Sequence, residues 1–199
     1  MAEALEVFLP ARPDILVGTM TLTTDRLDLV PASLRHADAS IEGNSAIAAL
    51  MQVIVPASWP PELLDTDALK FFRDKLAADE SQLAWWFYFV LRRNADEPRT
   101  LIGSAGLKGP PDADGMVEIG YGMLPEFQLQ GYASEASNAL VAFAFADERV
   151  QRVIAETLPE LIGSMGVMRR CGMTQLDETP NEPGGVRFGI TRAEFEAIA

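Results

Sequence analysis

The residues best suited to do chemistry form the short segment Gln128-Leu129-Gln130-Gly131-Tyr132-Ala133-Ser134. It follows an apolar run of period two, Val117 to Met123, and opens into an alanine-rich stretch, 134–146, without proline or glycine. This order predicts a strand, a glycine-containing loop and a buried helix. The first backbone N–H groups of such a helix have no partner within it, so an anion can bind there. A diphosphate suits the place, because Gly131 has no Cβ and Ala133 is nearly as small.

A Q-x-x-G-x-A pattern also occurs at ordinary strand-to-helix turns, so its surroundings decide what it means. Four short sequence motifs resemble, in their order and spacing, the acetyl-CoA-binding core of the GNAT superfamily of acyl-CoA-dependent N-acyltransferases. They are Val117-Glu118-Ile119-Gly120-Tyr121, Pro125-Glu126, Gly131-Tyr132-Ala133 and Glu135-Ala136. They are most similar to the RimJ/RimL-like branch, which acetylates protein N-termini or small amines. The resemblance is strongest from 116 to 140.

The resemblance implies a cofactor-binding set. The backbone N–H groups of Gln128, Leu129, Gln130, Gly131, Tyr132, Ala133 and Ser134 would bind the diphosphate of acetyl-CoA, and the two glutamine side chains can add neutral donors. The pantetheine arm would pair like an extra strand with residues 122–124, where a bulge opens the sheet. There the N–H of Met123 or Leu124 would polarise the thioester carbonyl. The alternative for Met123 is an ordinary core residue.

Glu118 is the candidate general base. An amine must lose a proton when it attacks a thioester, and a base matters more for a lysine-like amine (pKa ~10.4) than for an α-amine (about 7.7 to 8.0). The position of Glu118 matches the acidic residue that many members of the resembling family use, often through water. Because Val117 and Ile119 are apolar, alternation alone predicts a solvent-facing carboxylate, and both interpretations stay open.

Ser164 is the candidate for protonating or hydrogen-bonding the departing thiolate. Many GNAT enzymes use a tyrosine seven residues after an asparagine, but aligning Gly172-Met173 with the family's pattern puts Leu161 and Met168 at those positions. The RimJ/RimL-like branch commonly has a serine three residues after the asparagine, which is the spacing of Ser164. A serine that only begins the helix is the alternative. The missing asparagine puts cofactor affinity and catalysis in question.

Other reactive or aromatic side chains receive structural interpretations. Cys171 is rejected as an acyl-carrying nucleophile, because a lone thiol with apolar neighbours is usually buried and unreactive. His36 is interpreted as a surface or capping histidine. Tyr121 and Tyr132 are interpreted as packing residues, with Tyr132 along the CoA as an alternative. Trp59 is expected to pack its loop rather than stack on a substrate.

Composition excludes several classes of protein. The 199 residues carry 16 Lys plus Arg against 29 Asp plus Glu, a net charge of −13, without the basic stripe that a nucleic-acid partner requires. One cysteine and one histidine argue against a zinc site. No apolar run approaches the ~20 residues that cross a bilayer, and the start lacks a basic segment, so a cytoplasmic protein without a membrane partner is predicted.

The order of strands and helices that must position these residues indicates the α+β class. Together with the resemblance it predicts a three-layer α/β/α GNAT fold, with a mixed, mostly antiparallel sheet of six to seven strands and about four helices. Residues 1–20 are interpreted as an N-terminal extension with a short strand at 15–17, and residues 21–199 as one GNAT acetyltransferase domain. The predicted strands are 26–31, 84–91, 100–107, 116–123 and 152–157, and the tail 185–195 is interpreted as a strand and then a helical turn. The predicted helices are 37–51 (capped by Ser33), 65–78 (capped by Asp65 or Thr66), 134–146 and 161–170.

The leading hypothesis is an acetyl-CoA-dependent N-acetyltransferase that moves an acetyl group to a primary amine by direct attack on the thioester, with acetyl-CoA as acyl-donor co-substrate and no metal. The alternative is a GNAT-fold acyl-CoA-binding sensor or scaffold with little catalysis. The acidic charge mildly favours a cationic acceptor. The identity of the acceptor, the acyl length and the oligomeric state, with a homodimer among the options, stay open.

Overall fold

A long mixed β-sheet organises the protein, whose computed structural model describes residues 14–15, 20–62, 64–95, 97–181 and 183–198. The strands are β1 (Asp14–Ile15), β2 (Leu22–Thr23), β3 (Leu27–Pro31), β4 (Phe87–Arg92), β5 (Thr100–Leu107), β6 (Met116–Met123), β7 (Arg152–Thr157), β8 (Thr174–Leu176) and β9 (Val186–Thr191). The helices are α1 (Leu34–Glu42), α2 (Asn44–Met51), α3 (Thr66–Ala78), α4 (Tyr132–Ala146), α5 (Ile162–Arg170) and α6 (Arg192–Ile198).

The predicted α+β class and mostly antiparallel sheet are confirmed. Over the described ranges, nine strands follow the order β1-β2-β3-β4-β5-β6-β7-β9-β8, or eight when the two-residue β1 is set aside. The prediction of six to seven strands is too low, because β2 and β8 have only two and three residues and show no alternation. In the N-terminal segment, Asp14–Ile15 pairs with β2, whereas Leu16 and Val17 of the predicted strand lie outside the described residues.

The neighbouring strands β6 and β7 separate partway along their length. β6 and β7 run parallel, and their register extends only from the pair Met116–Arg152 to the pair Glu118–Ile154. Beyond this point β6 remains paired with β5 as far as Met123, and β7 remains paired with β9. The two strands therefore separate, and the space between them is called the β6–β7 opening below.

Helices cover both faces of the sheet, as a three-layer fold requires. One core cluster joins β6 to α4 and α5 through buried residues such as Ile119, Leu140 and Val167. The other joins β4 to α3 and the loop before it, through residues such as Phe89 and Leu69. Because successive strand residues point to opposite faces, β6 presents its odd-numbered side chains to α4 and α5 and its even-numbered side chains to the α1–α3 layer.

Helix α4 has the buried environment that its sequence predicts. It begins at Tyr132, two residues before the predicted start, and ends at Ala146. Ala136, Ala139 and Val141 point in different directions around the helix and are each at most 1% exposed, so the helix is packed on nearly every side. This burial fixes the helix, and with it the loop that leads into it, against the sheet.

Three local predictions differ from the structure. The predicted helix 37–51 is divided into α1 and α2 at Gly43, whose φ of +136° no other residue adopts readily. The predicted strand 84–91 begins only at Phe87, because Glu80–Trp85 form a 3-10 helix. Phe71 of α3, which its apolar side chain predicts to be buried, is 51% exposed. In contrast, Asp65 caps α3 through the N–H groups of Asp67 and Ala68.

In the ranges described above, no helix combines the length and the apolar character that crossing a membrane requires.

Candidate active site

The loop before α4 has an unusual backbone. A short 3-10 turn, Pro125–Phe127, leads into it, and Gly131 ends it at φ +84° and ψ −4° without a capping side chain. Leu129 also has a positive φ, +59°, and its side chain is 99% exposed. A left-handed conformation costs a residue other than glycine roughly 1–2 kcal/mol. Such strain is typical of sites that bind a ligand.

This loop presents a row of free backbone donors. Glu135 is the first residue of α4 whose N–H is bonded, to the Gly131 carbonyl at 3.0 Å. Among the described residues, none accepts a hydrogen bond from the N–H groups of residues 129–134. These donors lie at the positive end of the helix dipole, and successive N–H groups in such a turn form a concave anion site. The arrangement fits a diphosphate.

The glutamine side chains of the loop are used within it. The Gln128 side-chain amide donates to the Met123 carbonyl at 3.1 Å, and the Gln130 amide donates to the Glu126 carbonyl at 2.8 Å. The two side chains therefore brace the loop against the preceding turn. The backbone N–H of Gln128 is also occupied, by the Pro125 carbonyl at 3.3 Å, so the prediction of a free donor at Gln128 is wrong and, of these two residues, only Gln130 keeps a backbone N–H for an anion.

At the β6–β7 opening, alternate residues of β6 direct their backbone groups toward the gap. The Glu118 carbonyl accepts from Lys108 N–H at 2.8 Å and Leu124 N–H donates to the Ile102 carbonyl at 2.9 Å, so the even-numbered residues bond to β5. Tyr121 and Met123 must then direct their N–H groups to the opposite edge, into the opening.

Of the two predicted carbonyl-polarising donors, only one is available. Leu124 N–H is occupied by Ile102, whereas Met123 N–H faces the opening. The Met123 side chain is 7% exposed and belongs to the core, so the core interpretation describes its side chain, while its backbone N–H is the group that the predicted donor role requires. The register of β6 with β5 is continuous from Ile119 to Met123, and the sheet opens by the separation from β7 rather than by a bulge in β6.

Glu118 lies on the even-numbered face of β6, at the last pair before the opening. Its side chain is 13% exposed, so the solvent-facing interpretation does not describe it. Lys108 forms an ion pair with Oε1, and within the described residues Oε2 has no partner. On the same face, a Cβ built on Gly120 meets no atom within 4 Å, which leaves open space next to this carboxylate.

Ser164 lies on the opposite face, beside Tyr121. The Tyr121 hydroxyl is 3.0 Å from the Ser164 carbonyl oxygen, to which it donates, and 3.1 Å from Ser164 Oγ. Burial raises the pKa of Tyr121 above its ordinary value, an effect that the hydrogen bond from Ser164 only partly offsets. Tyr121 therefore stays protonated near neutral pH. Sequence analysis had interpreted it as packing alone.

The remaining predicted residues of this region have plain environments. Leu161 precedes the first turn of α5 and is 47% exposed, and Met168 is 1% exposed in the core. Cys171 is fully buried, and this burial raises the pKa of its thiol to about 12. Trp59 is buried against Phe89, so it packs its loop, and His36 accepts the Ser33 N–H in the capping box of α1.

Arg26, just before β3, also contacts this region, and sequence analysis assigned it no role there. Its guanidinium contacts the Gln130 carbonyl of the loop (3.1 Å) and, in the first turn of α4, the Glu135 carboxylate (2.7 Å) and the Tyr132 ring (4.4 Å from the centroid). In the sequence it was only the first residue of the predicted strand 26–31, and nothing local linked it to a loop 104 positions away.

In the part of the chain that the structure describes, no three His, Cys, Asp or Glu side chains are grouped so as to hold a metal ion.

The chain belongs to the acetyltransferase (GNAT) domain family, whose sequence profile matches residues 26–174, and it is an acetyltransferase. Among relatives, it is 24% identical over 151 residues to the uncharacterized N-acetyltransferase YjdG of Bacillus subtilis (strain 168), covering 76% of this chain and 88% of that protein.

Solved structures show the same fold. A protein from Vibrio cholerae, provisionally named a ribosomal-protein-serine acetyltransferase, matches with a TM-score of 0.59 and 21% identity, over 91% of this chain and 99% of that one. The microcin C7 self-immunity acetyltransferase MccE, in complex with acetyl-CoA and AMP, matches with a TM-score of 0.55 and 16% identity, over 84% and 93%.

Proposed function

We propose that this acetyltransferase moves an acetyl group from acetyl-CoA to a primary amine by direct attack on the thioester. The observation that carries the proposal is the row of free N–H groups at residues 129–134, next to the β6–β7 opening. The row suits the diphosphate of CoA, and the opening gives an extended pantetheine arm an unpaired strand edge to lie against.

The N–H of Met123 is proposed to polarise the thioester carbonyl. It points into the opening, where a bound pantetheine arm would bring the carbonyl, whereas Leu124 N–H is already bonded to Ile102. A fixed backbone donor aimed at a carbonyl oxygen stabilises the negative charge that develops during attack.

Glu118 is proposed as the base. The amine nitrogen forms a bond to the thioester carbon, the bond from carbon to sulfur breaks, and the proton of the amine passes to the free Oε2 of Glu118, directly or through water. The open space beside Gly120 on this face gives the acceptor room next to that oxygen.

Ser164 is proposed to give its proton to the departing thiolate while its own oxygen regains a proton from solvent, and Glu118 in turn releases the amine proton to solvent. It lies on the other face of the sheet from Glu118, so proton removal and proton delivery occur on opposite sides of the β6–β7 opening. The hydrogen bond to Tyr121 supports this role over that of a serine that merely begins a helix.

The acceptor is proposed to be a protein N-terminus or a small amine, as in the RimJ/RimL-like branch. Support comes from the sequence motifs that resemble this branch and from the name of the structurally similar protein from Vibrio cholerae. The net charge of −13 favours a cationic acceptor and disfavours nucleic acid as a partner. We further propose that the protein acts in the cytoplasm.

Two measurements test this function. Calorimetry with CoA first determines whether the protein binds the donor, and release of free thiol is then followed with acetyl-CoA over a panel of amines and peptides with free N-termini. Thiol release that depends on the acceptor supports the proposal. Tight binding without release for any acceptor would support an acyl-CoA sensor instead, which the Leu161 and Met168 positions favour, and absence of CoA binding would rule out both.

A further inference from the structure

We infer that Arg26 is the positioning residue of the diphosphate site. The inference rests on the proposed function of the loop 128–134 and extends it to a residue that lies just before β3, 104 positions earlier in the chain than Gln130. Three contacts carry it: one to a loop carbonyl, one to a carboxylate of α4 and one to the Tyr132 ring, which follows the glycine that ends the loop.

The first contact sets the direction of a loop amide. Arg26 Nη1 donates to the Gln130 carbonyl at 3.1 Å. In a trans peptide the carbonyl and the following N–H point in opposite directions. Holding the Gln130 carbonyl toward Arg26 therefore turns the N–H of Gly131 away from Arg26, to a side of the loop on which no described residue accepts it.

The second contact neutralises a carboxylate that would otherwise oppose the ligand. Glu135 lies in the first turn of α4 and its side chain is only 14% exposed. Its Oε2 accepts from Arg26 Nε at 2.7 Å, and its Oε1 accepts from the Arg26 backbone N–H at 2.8 Å and from Thr24 Oγ1 at 2.6 Å. Without Arg26, a partly buried negative charge would lie one helical turn from a bound diphosphate, where repulsion is screened poorly.

The third contact fixes the guanidinium beside Gly131 and Tyr132. Arg26 Nη2 lies 3.3 Å from where a Cβ of Gly131 would be, and the guanidinium carbon is 4.4 Å from the centre of the Tyr132 ring. Stacking on the Tyr132 ring fixes the plane of the Arg26 guanidinium group. Within the described ranges Nη2 has no hydrogen-bond partner, and because Glu135 balances the charge of Arg26, the guanidinium acts by orienting the loop rather than by adding net positive charge.

The test compares two acetyl donors. Acetyl-CoA carries the diphosphate, whereas S-acetylpantetheine has the same thioester and arm without it. Arg26→Met is expected to lower kcat/KM for acetyl-CoA about tenfold or more and to raise the Kd for CoA in proportion. It is expected to change kcat/KM for S-acetylpantetheine by less than about twofold, since a donor without phosphates does not depend on the orientation of the loop.

Glu135→Gln provides the matched rescue. This single substitution removes the charge that Arg26 neutralises, so CoA affinity should remain close to that of the unsubstituted protein. In the double variant Arg26→Met/Glu135→Gln, affinity should exceed that of Arg26→Met alone, because the uncompensated carboxylate is gone. A loss that remains in the double variant measures the contact to the Gln130 carbonyl.

Several outcomes would overturn the inference: unchanged CoA affinity in Arg26→Met, an equal loss for both donors, or a double variant that binds no better than Arg26→Met. If Arg26→Met does not fold by circular dichroism, Arg26→Lys replaces it and the same comparison of donors decides, since lysine keeps the charge but not the fork. Absence of CoA binding by the unsubstituted protein would overturn the proposed function as well, whereas unchanged binding by Arg26→Met overturns only the role of Arg26.

Discussion

The hydroxyl oxygens of Tyr121 and Ser164 lie 3.1 Å apart, and this contact joins the strand that borders the β6–β7 opening to the helix that follows β7. Tyr121 also reaches the Ser164 carbonyl at 3.0 Å, so the tyrosine fixes both the backbone and the side chain of the serine. Because burial raises the pKa of Tyr121, the tyrosine holds its proton and orients Ser164 rather than acting as an acid itself.

Tyr121→Phe is expected to lower kcat about three- to tenfold, because one hydrogen bond that holds the proton donor is lost. The Kd for CoA should not change, since the diphosphate loop is untouched. The initial rate of thiol release at saturating acetyl-CoA and acceptor gives kcat, and calorimetry gives the Kd for CoA.

A double-mutant cycle with Ser164→Ala separates this role from a structural one. If Tyr121 acts through Ser164, Tyr121→Phe/Ser164→Ala should be no slower than Ser164→Ala alone. Additive losses would show that Tyr121 contributes independently of the serine, and an unaltered rate in Ser164→Ala would remove Ser164 from the mechanism.

Glu118→Gln is expected to lower kcat at neutral pH by about a hundredfold, the effect of removing a positioned base. The loss should be larger for a lysine-like acceptor, whose pKa is ~10.4, than for an α-amine of about 7.7 to 8.0, because the α-amine is partly neutral without help. Steady-state rates on two acceptors of matched size measure this difference, while the Kd for CoA should remain constant.

Lys108→Met is the matched control for Glu118. It removes the ion-pair partner of the carboxylate but keeps the carboxylate, and most of the turnover should survive. A Glu118→Gln variant that turns over as fast as the unsubstituted protein, on both acceptors, would show that this carboxylate is not the base.

Gly131→Ala and Gly184→Ala test the conformation of the loop. Both glycines have positive φ, +84° and +76°, so each substitution should lower the free energy of unfolding by about 1 kcal/mol. Only Gly131→Ala should weaken CoA binding, because its Cβ would lie 3.3 Å from Arg26 Nη2, whereas a Cβ on Gly184 meets no atom within 4 Å.

Gly131→Glu extends the same test. Bulk and negative charge against the phosphates should abolish CoA binding in calorimetry while circular dichroism shows a folded protein. If CoA binds this variant with unchanged affinity, the loop is not the anchor of the donor.

Short-range sequence patterns were sufficient to predict the strand, the loop and the buried helix that form the proposed acetyl-CoA site. The period-two run to Met123, the glycine at 131 and the alanine-rich stretch after it are each short-range signals. The limits of α3, β5, β6 and β7 were predicted for the same reason, because caps and turn residues mark them.

The contacts that complete the site could not be predicted from the sequence. Arg26 and Gln130 are 104 positions apart, and Tyr121 and Ser164 are 43 apart, so neither pair follows from periodicity. The occupied N–H of Leu124 depends on the register of β5 with β6, which alternation alone leaves free to shift. The break at Gly43 was missed because a single glycine is compatible with a continuous helix.

Cys171 gives a prediction about both reactivity and stability. Since burial raises the pKa of this thiol to about 12, it stays neutral in the folded protein, and a disulfide reagent at pH 8 should modify it only after denaturation. Cys171→Ala should retain acetyl transfer, and loss of all turnover in a folded Cys171→Ala protein would instead indicate an acyl-cysteine route.

The same raised pKa has a consequence at alkaline pH. The unfolded thiol ionises near 9, whereas the folded thiol ionises near 12, so the folded state binds the proton more tightly. The resulting stability is fully present below pH 9 and decreases as the pH rises toward 12. Between pH 8 and pH 10 the loss from this group should be on the order of 1 kcal/mol. Denaturant unfolding of the unsubstituted protein and of Cys171→Ala at both values measures it, because the alanine variant lacks the titrating group and should lose less stability over the same interval.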